Sequence, residues 1–179
     1  MREIKAVASG HLEFQIIVKG CPPQTTEPGH TAFSHLAENP IDKAVIIRSA
    51  LIRLAEERAK RVRYPQIEAL VGRATNLHVS RISCGEMRRL SRIEDTCILG
   101  CAVSFPPSET MKQVKAEIEA AIEKAIDTDI WLHDHPPQII WVAGVTGGEV
   151  STDHPLYQTA AAAISRITGE APSNNPMHT

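Results

Sequence analysis

The stretch Asp95-Thr-Cys-Ile-Leu-Gly-Cys-Ala-Val-Ser-Phe105, then Pro106-Pro107-Ser108, then Met111-Lys-Gln-Val-Lys-Ala-Glu-Ile-Glu-Ala-Ala-Ile-Glu-Lys-Ala125, changes its hydrophobic period in the middle. Cys97, Leu99, Cys101, Val103 and Phe105 share one face and Gly100, Ala102 and Ser104 lie on the other, the period of a strand with one buried face. The prolines stop that strand. Met111, Val114, Ile118, Ala121, Ile122 and Ala125 then recur at helical spacing with Lys and Glu on the other side. After the loop at 127–137 the run Ile139-Ile140-Trp141-Val142 predicts a further strand over Gln138 to Gly144.

Working back from Asp95, the polar and basic segment Gly85 to Arg92 suits a hairpin connection to an earlier strand over Ala74 to Ser83. Upstream, Leu12, Phe14, Ile16 and Val18 alternate with Glu13, Gln15 and Lys19, a strand that ends at Gly20 and Pro22-Pro23. A long loop to Glu38 follows, of the kind that is commonly functional. A first helix is predicted from Pro40 to about Arg61. Its core face is read as Ile41, Ala44, Val45, Ile47, Leu51, Ile52, Leu54 and Ala55, with Ile46 and Ala50 on the opposite side as a candidate partner surface. The basic run Arg58 to Arg63 ends this helix, where cations complement the dipole, and reads as a solvated helix end.

The order strand, helix, strand, strand, helix, strand predicts an α+β, ferredoxin-like split βαβ fold: an antiparallel sheet with two helices on one face. Residues 1–10 read as a lead-in, 11–145 as the domain, and 146–179 as a linker followed by a third helix that starts at His154-Pro155 and ends near Gly169. That last helix, with Ala160 to Ala163 asking for close packing, reads as the first piece of another unit. Residues 170–179 read as coil.

The 179 residues are 42% hydrophobic and 22% charged, with a net charge of -2. Such a balance offers no general attraction to phosphate backbones or anionic lipid, so neither nucleic acid nor membrane is an expected partner. No apolar run nears the roughly 20 residues of a membrane span, and a cytoplasmic location is expected. Cys97 and Cys101 are about 14 Å apart if they share a strand, too far for a disulfide. No cysteine pair has zinc-finger spacing, and the four thiols are read as reduced and structural.

The stretch Gly29-His30-Thr31-Ala32-Phe33-Ser34-His35-Leu36-Ala37-Glu38-Asn39-Pro40-Ile41 carries the functional signal. Asn39 suits a helix N-cap and Pro40 the first helical position, so His30 is held beside a rigid helix start. His35 reads as a structural histidine bonded to the loop or helix start. The triplet His133-Asp134-His135 resembles metal spacing but lacks a third committed ligand.

These residues resemble the lid, or dimerisation, domain of the zinc-dependent aminoacylase, acetylornithine deacetylase, succinyl-diaminopimelate desuccinylase and carboxypeptidase family. The split βαβ order, Phe105-Pro106-Pro107 before the second helix and His154-Pro155-Leu156 are similar too. The resemblance implies that residues 1–10 and 146–179 belong to a catalytic domain, and that two zinc ions sit on ligands elsewhere in the parent enzyme with none on this chain. It also implies a homodimer in which His30 is catalytic, reaching into the partner subunit's active site to contact the substrate carbonyl oxygen. The implied substrate is an N-acyl amino acid or small peptide. By itself the chain is predicted inactive.

Two positions depart from that pattern. Ser91 and Ser104 stand where family members often carry an asparagine and an arginine that help to bind substrate. The other reading of the chain is a stand-alone ferredoxin-like module that binds a small metabolite.

Overall fold

Four strands, β1 (Gly10–Lys19), β2 (Asn76–Ser83), β3 (Thr96–Phe105) and β4 (Gln138–Val145), make one antiparallel sheet in the order β2-β3-β1-β4. Between them run two long helices, α1 (Pro40–Arg61) and α2 (Met111–Ile126). The expected split βαβ order is therefore present. The computed structural model describes residues 3–175. Residues 1–2 and 176–179, the outer ends of the expected lead-in and C-terminal segment, lie outside the described residues.

Strand alternation explains the core. Phe14 faces Cys101, Ile16 faces Leu99 and Val18 faces Cys97 across β1 and β3, so one face of the sheet is apolar along both central strands. Val114, Ile118, Ile122 and Ala125 of α2 and Ala44, Ile47, Leu51 and Leu54 of α1 cover that face in one continuous cluster. Both helices begin with side-chain caps. Asn39 Oδ1 accepts from the Ile41 N–H at 3.1 Å, and Thr110 and Gln113 form a reciprocal capping box, which satisfies donors that the first helical turn leaves unpaired.

The face of α1 is rotated from the expected one. Ala50 is buried and Ile46 packs against the core, whereas Ile41, Val45 and Ile52 are exposed. Periodicity locates the apolar stripe but not the neighbour that widens it, and α2 packs beside α1 on the Ala50 side. Ala50 and Leu54 share a groove with Ala120 and Ala121. At about 100° per residue, Ile41, Val45 and Ile52 lie within about 40° of one another on the flank away from α2.

Arg58 is a second correction, because it is not part of a solvated helix end. It is 1% exposed, and its guanidinium bonds Glu109 at 2.6 Å, Thr75 Oγ1 at 3.1 Å and the Glu117 carboxylate. Its Nε has no partner among the described residues. The carboxylates come from α2 and the turn before it, a tertiary arrangement that the basic run could not announce.

The described residues of the expected lead-in and C-terminal coil include paired strands. Val7–Ala8 pairs antiparallel with Gly148–Glu149, and Glu3–Ile4 pairs parallel with Ser173–Asn174. Val7 is buried. Helix α3 (Pro155–Thr168) is capped by His154 Nδ1 and ends at Gly169 in the left-handed region, and none of its residues is buried. Another short helix, Pro65–Val71, which had no clear periodicity, follows α1. Among the described residues no helix is long and apolar enough to cross a membrane.

Candidate active-site lobe around His30

The expected long loop between β1 and α1 is built, not open. Cys21 and Glu38 exchange backbone hydrogen bonds of 2.8 and 2.9 Å and close its base. Gly20 lies where a Cβ would come within 2.5 Å of the Glu38 carbonyl oxygen and the Pro40 ring, so only glycine lets the chain ends meet there. Inside this closed segment are a one-turn helix, Glu27–Ala32, and a tighter turn, Ser34–Leu36. His30 therefore sits on a helical turn rather than on a loop. Single-turn helices leave too few residues for a periodic signal.

Gly29, just before it, packs closely against its neighbour in the loop. A Cβ there would meet the Thr25 side chain at 2.6 Å. His30 itself is only 7% exposed, and its Nδ1 accepts a hydrogen bond from the Ile93 N–H at 3.1 Å. A ring nitrogen that accepts from an amide carries no proton, so the imidazole proton is on Nε2. The ring is not sealed in: it lines a cavity of about 340 Å³ with Asn39, Ile41, Cys84, Arg89 and Ser91. The segment between β2 and β3 forms the far wall, held by Arg89 to Glu27 at 2.5–2.6 Å and by Arg92 to Glu94 at 3.0 Å.

Other expected residues go elsewhere. His35 is exposed and has no hydrogen bond among the described residues, so its expected loop contact is not made. His133 pairs with Asp134 at 3.2 Å, and His135 stacks on Trp131 at 3.7 Å between ring centres. Ser91 joins His30 in the cavity wall. Ser104 lies at the other end of β3, opposite His11 on β1 and Asn76 on β2. The Ile93 amide and the Arg89–Glu27 tie had no motif to reveal them, because backbone donors and loop ion pairs leave no periodic trace. No group of three or more His, Cys, Asp and Glu among the described residues could hold a metal ion.

Residues 5–129 match the family model described as a peptidase dimerisation domain. The chain belongs to the peptidase dimerisation domain family. Among curated proteins this dimerisation domain is similar to N-formyl-4-amino-5-aminomethyl-2-methylpyrimidine deformylase of Bacillus subtilis (strain 168), 32% identical over 99 residues, which are 48% of this chain and 22% of that protein. Among solved structures it is similar to an M20 family metallo-carboxypeptidase from Sulfolobus solfataricus (14% identity, TM-score 0.70, covering 98% of this chain and 46% of that one). It is also similar to human carnosine dipeptidase 1 (13% identity, TM-score 0.65, 99% and 46%). At these identities the solved structures establish the fold. The dimerisation domain spans less than half the length of these relatives.

Proposed function

We propose that the chain is the lid of an amide-bond hydrolase, with residues 11–145 as the lid proper and 1–10 and 146–179 leading into a catalytic domain. In this reading the enzyme is a homodimer that removes acyl groups from N-acyl amino acids or cleaves small peptides, and its catalytic domain holds two zinc ions. His30 of one subunit serves the partner subunit's active site. The observation that carries the reading is the bond from the Ile93 amide to His30 Nδ1. It leaves Nε2 as a fixed N–H donor on the cavity wall. When an amide carbon is attacked, negative charge gathers on its oxygen, and a donor already in place stabilises that charge without reorganising.

The dimer contact follows from the corrected face of α1. Ile41, Val45 and Ile52 are exposed, and α1 packs over the edge strand β2, where a bulge between Val79 and Arg81 brings Ile82 onto the same face as Leu99 and leaves it exposed at the sheet edge. An apolar stripe beside an unpaired strand edge suits two-fold pairing with a second copy.

The test is His30→Asn in the full-length enzyme. A loss of about 10²–10³ in kcat with little change in KM is expected for one such donor. Mixing this variant with a subunit inactivated in its catalytic domain should restore part of the activity, because one active site then has both parts. No recovery in mixed dimers would leave His30 without a role across the interface.

A second reading of the substrate rests on Ser91 and Ser104. Neither can bind a carboxylate as an arginine does, and the Bacillus relative is named for a formylated aminomethyl-pyrimidine. An N-acylated amine without a carboxylate is the substrate class this favours. Comparing kcat/KM for an N-acetyl amino acid and an N-formyl heteroaromatic methylamine decides between them.

A further inference from the structure

Two thiols face each other at the foot of the segment that positions His30. The last paired residues of the β2–β3 ladder are Ser83 and Ile98, so one more step of the same antiparallel register sets Cys84 opposite Cys97. Each thiol acts on the other electrostatically, and behind burial Cys84 is among the causes that raise the Cys97 thiol. Directly opposed residues of an antiparallel pair have Cα atoms about 4.5–5.5 Å apart, inside the roughly 4.4–6.8 Å that a disulfide spans. All four cysteines are free thiols here. Cys84 is half-buried and lines the His30 cavity, whereas Cys97 is fully buried behind it.

We propose that Cys84 and Cys97 are a reversible redox pair whose disulfide clamps the 85–96 segment that holds His30. The oxidant is a small-molecule disulfide such as oxidised glutathione. The Cys84 thiolate attacks one sulfur of that disulfide, forms a mixed disulfide and expels one glutathione thiolate, which takes up the proton Cys84 gave away. Cys97 then loses its proton, attacks Cys84 Sγ and expels the second glutathione. Two protein thiols and one glutathione disulfide become one protein disulfide and two glutathione thiols.

The order of attack follows from access, because only Cys84 lines the cavity. The chemistry is slow at neutral pH, since burial pushes the Cys84 thiol up and the Cys97 thiol up to about 11. Below those values the reactive thiolate fraction grows about tenfold per pH unit, so the clamp closes faster as the medium becomes alkaline. What it clamps is specific. The Ile93 N–H that fixes the His30 tautomer, and Arg89 with its tie to Glu27, lie between the two sulfurs in sequence.

The purified protein is incubated with oxidised glutathione at pH 7 and pH 9 and read by intact mass, peptide mapping and limited trypsin digestion. Expected are the loss of two hydrogens, a Cys84–Cys97 linked peptide, faster closure at pH 9, several-fold slower cleavage at Arg88, Arg89 and Arg92, and full reversal by dithiothreitol. Cys84→Ser, a near-isosteric change at a half-buried position on the margin of the core, abolishes closure. Cys97→Ala leaves Cys84 as a glutathione adduct if the variant folds, and the wild-type measurement stands without it. Two thiols that persist in the wild type at pH 9, an adduct on Cys84 that never resolves, or linkage to Cys21 or Cys101 overturns the proposal.

Discussion

The helix-covered face of the sheet and the lobe around His30 are held by different forces. In the first, Ile16, Val18, Leu99, Phe105 and Ile118 are completely or almost completely removed from water and touch one another through α1, α2 and both central strands. In the second, a one-turn helix is kept in place by a two-bond backbone bridge, one imidazole contact and the Arg89–Glu27 ion pair. Apolar burial involves no titratable group and fails cooperatively, whereas the ion pair is screened by salt. The lobe can therefore be altered locally while the sheet stays folded, which suits the proposed presentation of His30 to a partner subunit.

The sharpest way to break this contrast is at its strong end. Ile118→Ala removes buried methylenes from the centre of the core and should lower unfolding free energy by about 3–4 kcal/mol, read by urea denaturation. Arg58→Ala should come close behind at about 3 kcal/mol, because it strands Glu109 and leaves Glu117 with Arg61 as its remaining cation. Equal losses from Gly29→Ala, in the lobe, would erase the distinction, since that change is expected to disturb the His30 turn and leave the sheet intact.

The Arg58 cluster also gives the core a component that is sensitive to acid. Burial pushes the Glu117 carboxyl up, but hydrogen bonds from Arg61 and Arg58 outweigh it and hold it below the usual carboxylate range. A carboxyl depressed in the folded state contributes stability that is present above its unfolded pKa and lost as pH falls through the folded value. Unfolding free energy should thus fall as the medium is acidified below about pH 4.5. Glu117→Gln should flatten that slope while leaving the His30 lobe unchanged in limited proteolysis.

How far the sequence could be read follows the same division. Alternation in Leu12 to Val18 and Cys97 to Phe105, and the stripe from Met111 to Ala125, announced the sheet and α2, because each buries one face against one layer. Helix α1 misled because it meets two layers, and a hydrophobic pattern reports the sum of its neighbours rather than their directions. Thus Ala50 was read as exposed and Ile52 as buried. Within the lobe, Gly29-His30 and Asn39-Pro40 were legible as local chemistry. The partners were not: the Ile93 amide and the Cys84–Cys97 apposition come from register across a twelve-residue connection, which periodicity in either strand cannot fix.

The smallest effect on folding should come from Ile52→Lys, and it sharpens the comparison most. Ile52 is 38% exposed on the flank of α1 away from α2, so replacing it perturbs neither region, and the unfolding free energy of the isolated subunit should change by no more than about 0.5 kcal/mol. If this flank pairs with a second copy, each dimer would bury two lysines, one from each side of the two-fold axis, where the wild type buries apolar surface. Sedimentation at micromolar concentration should then show monomers in place of dimers, with catalytic activity falling in proportion to the dimer lost. An unchanged dimer would remove this flank from the interface and return attention to the other side of the sheet.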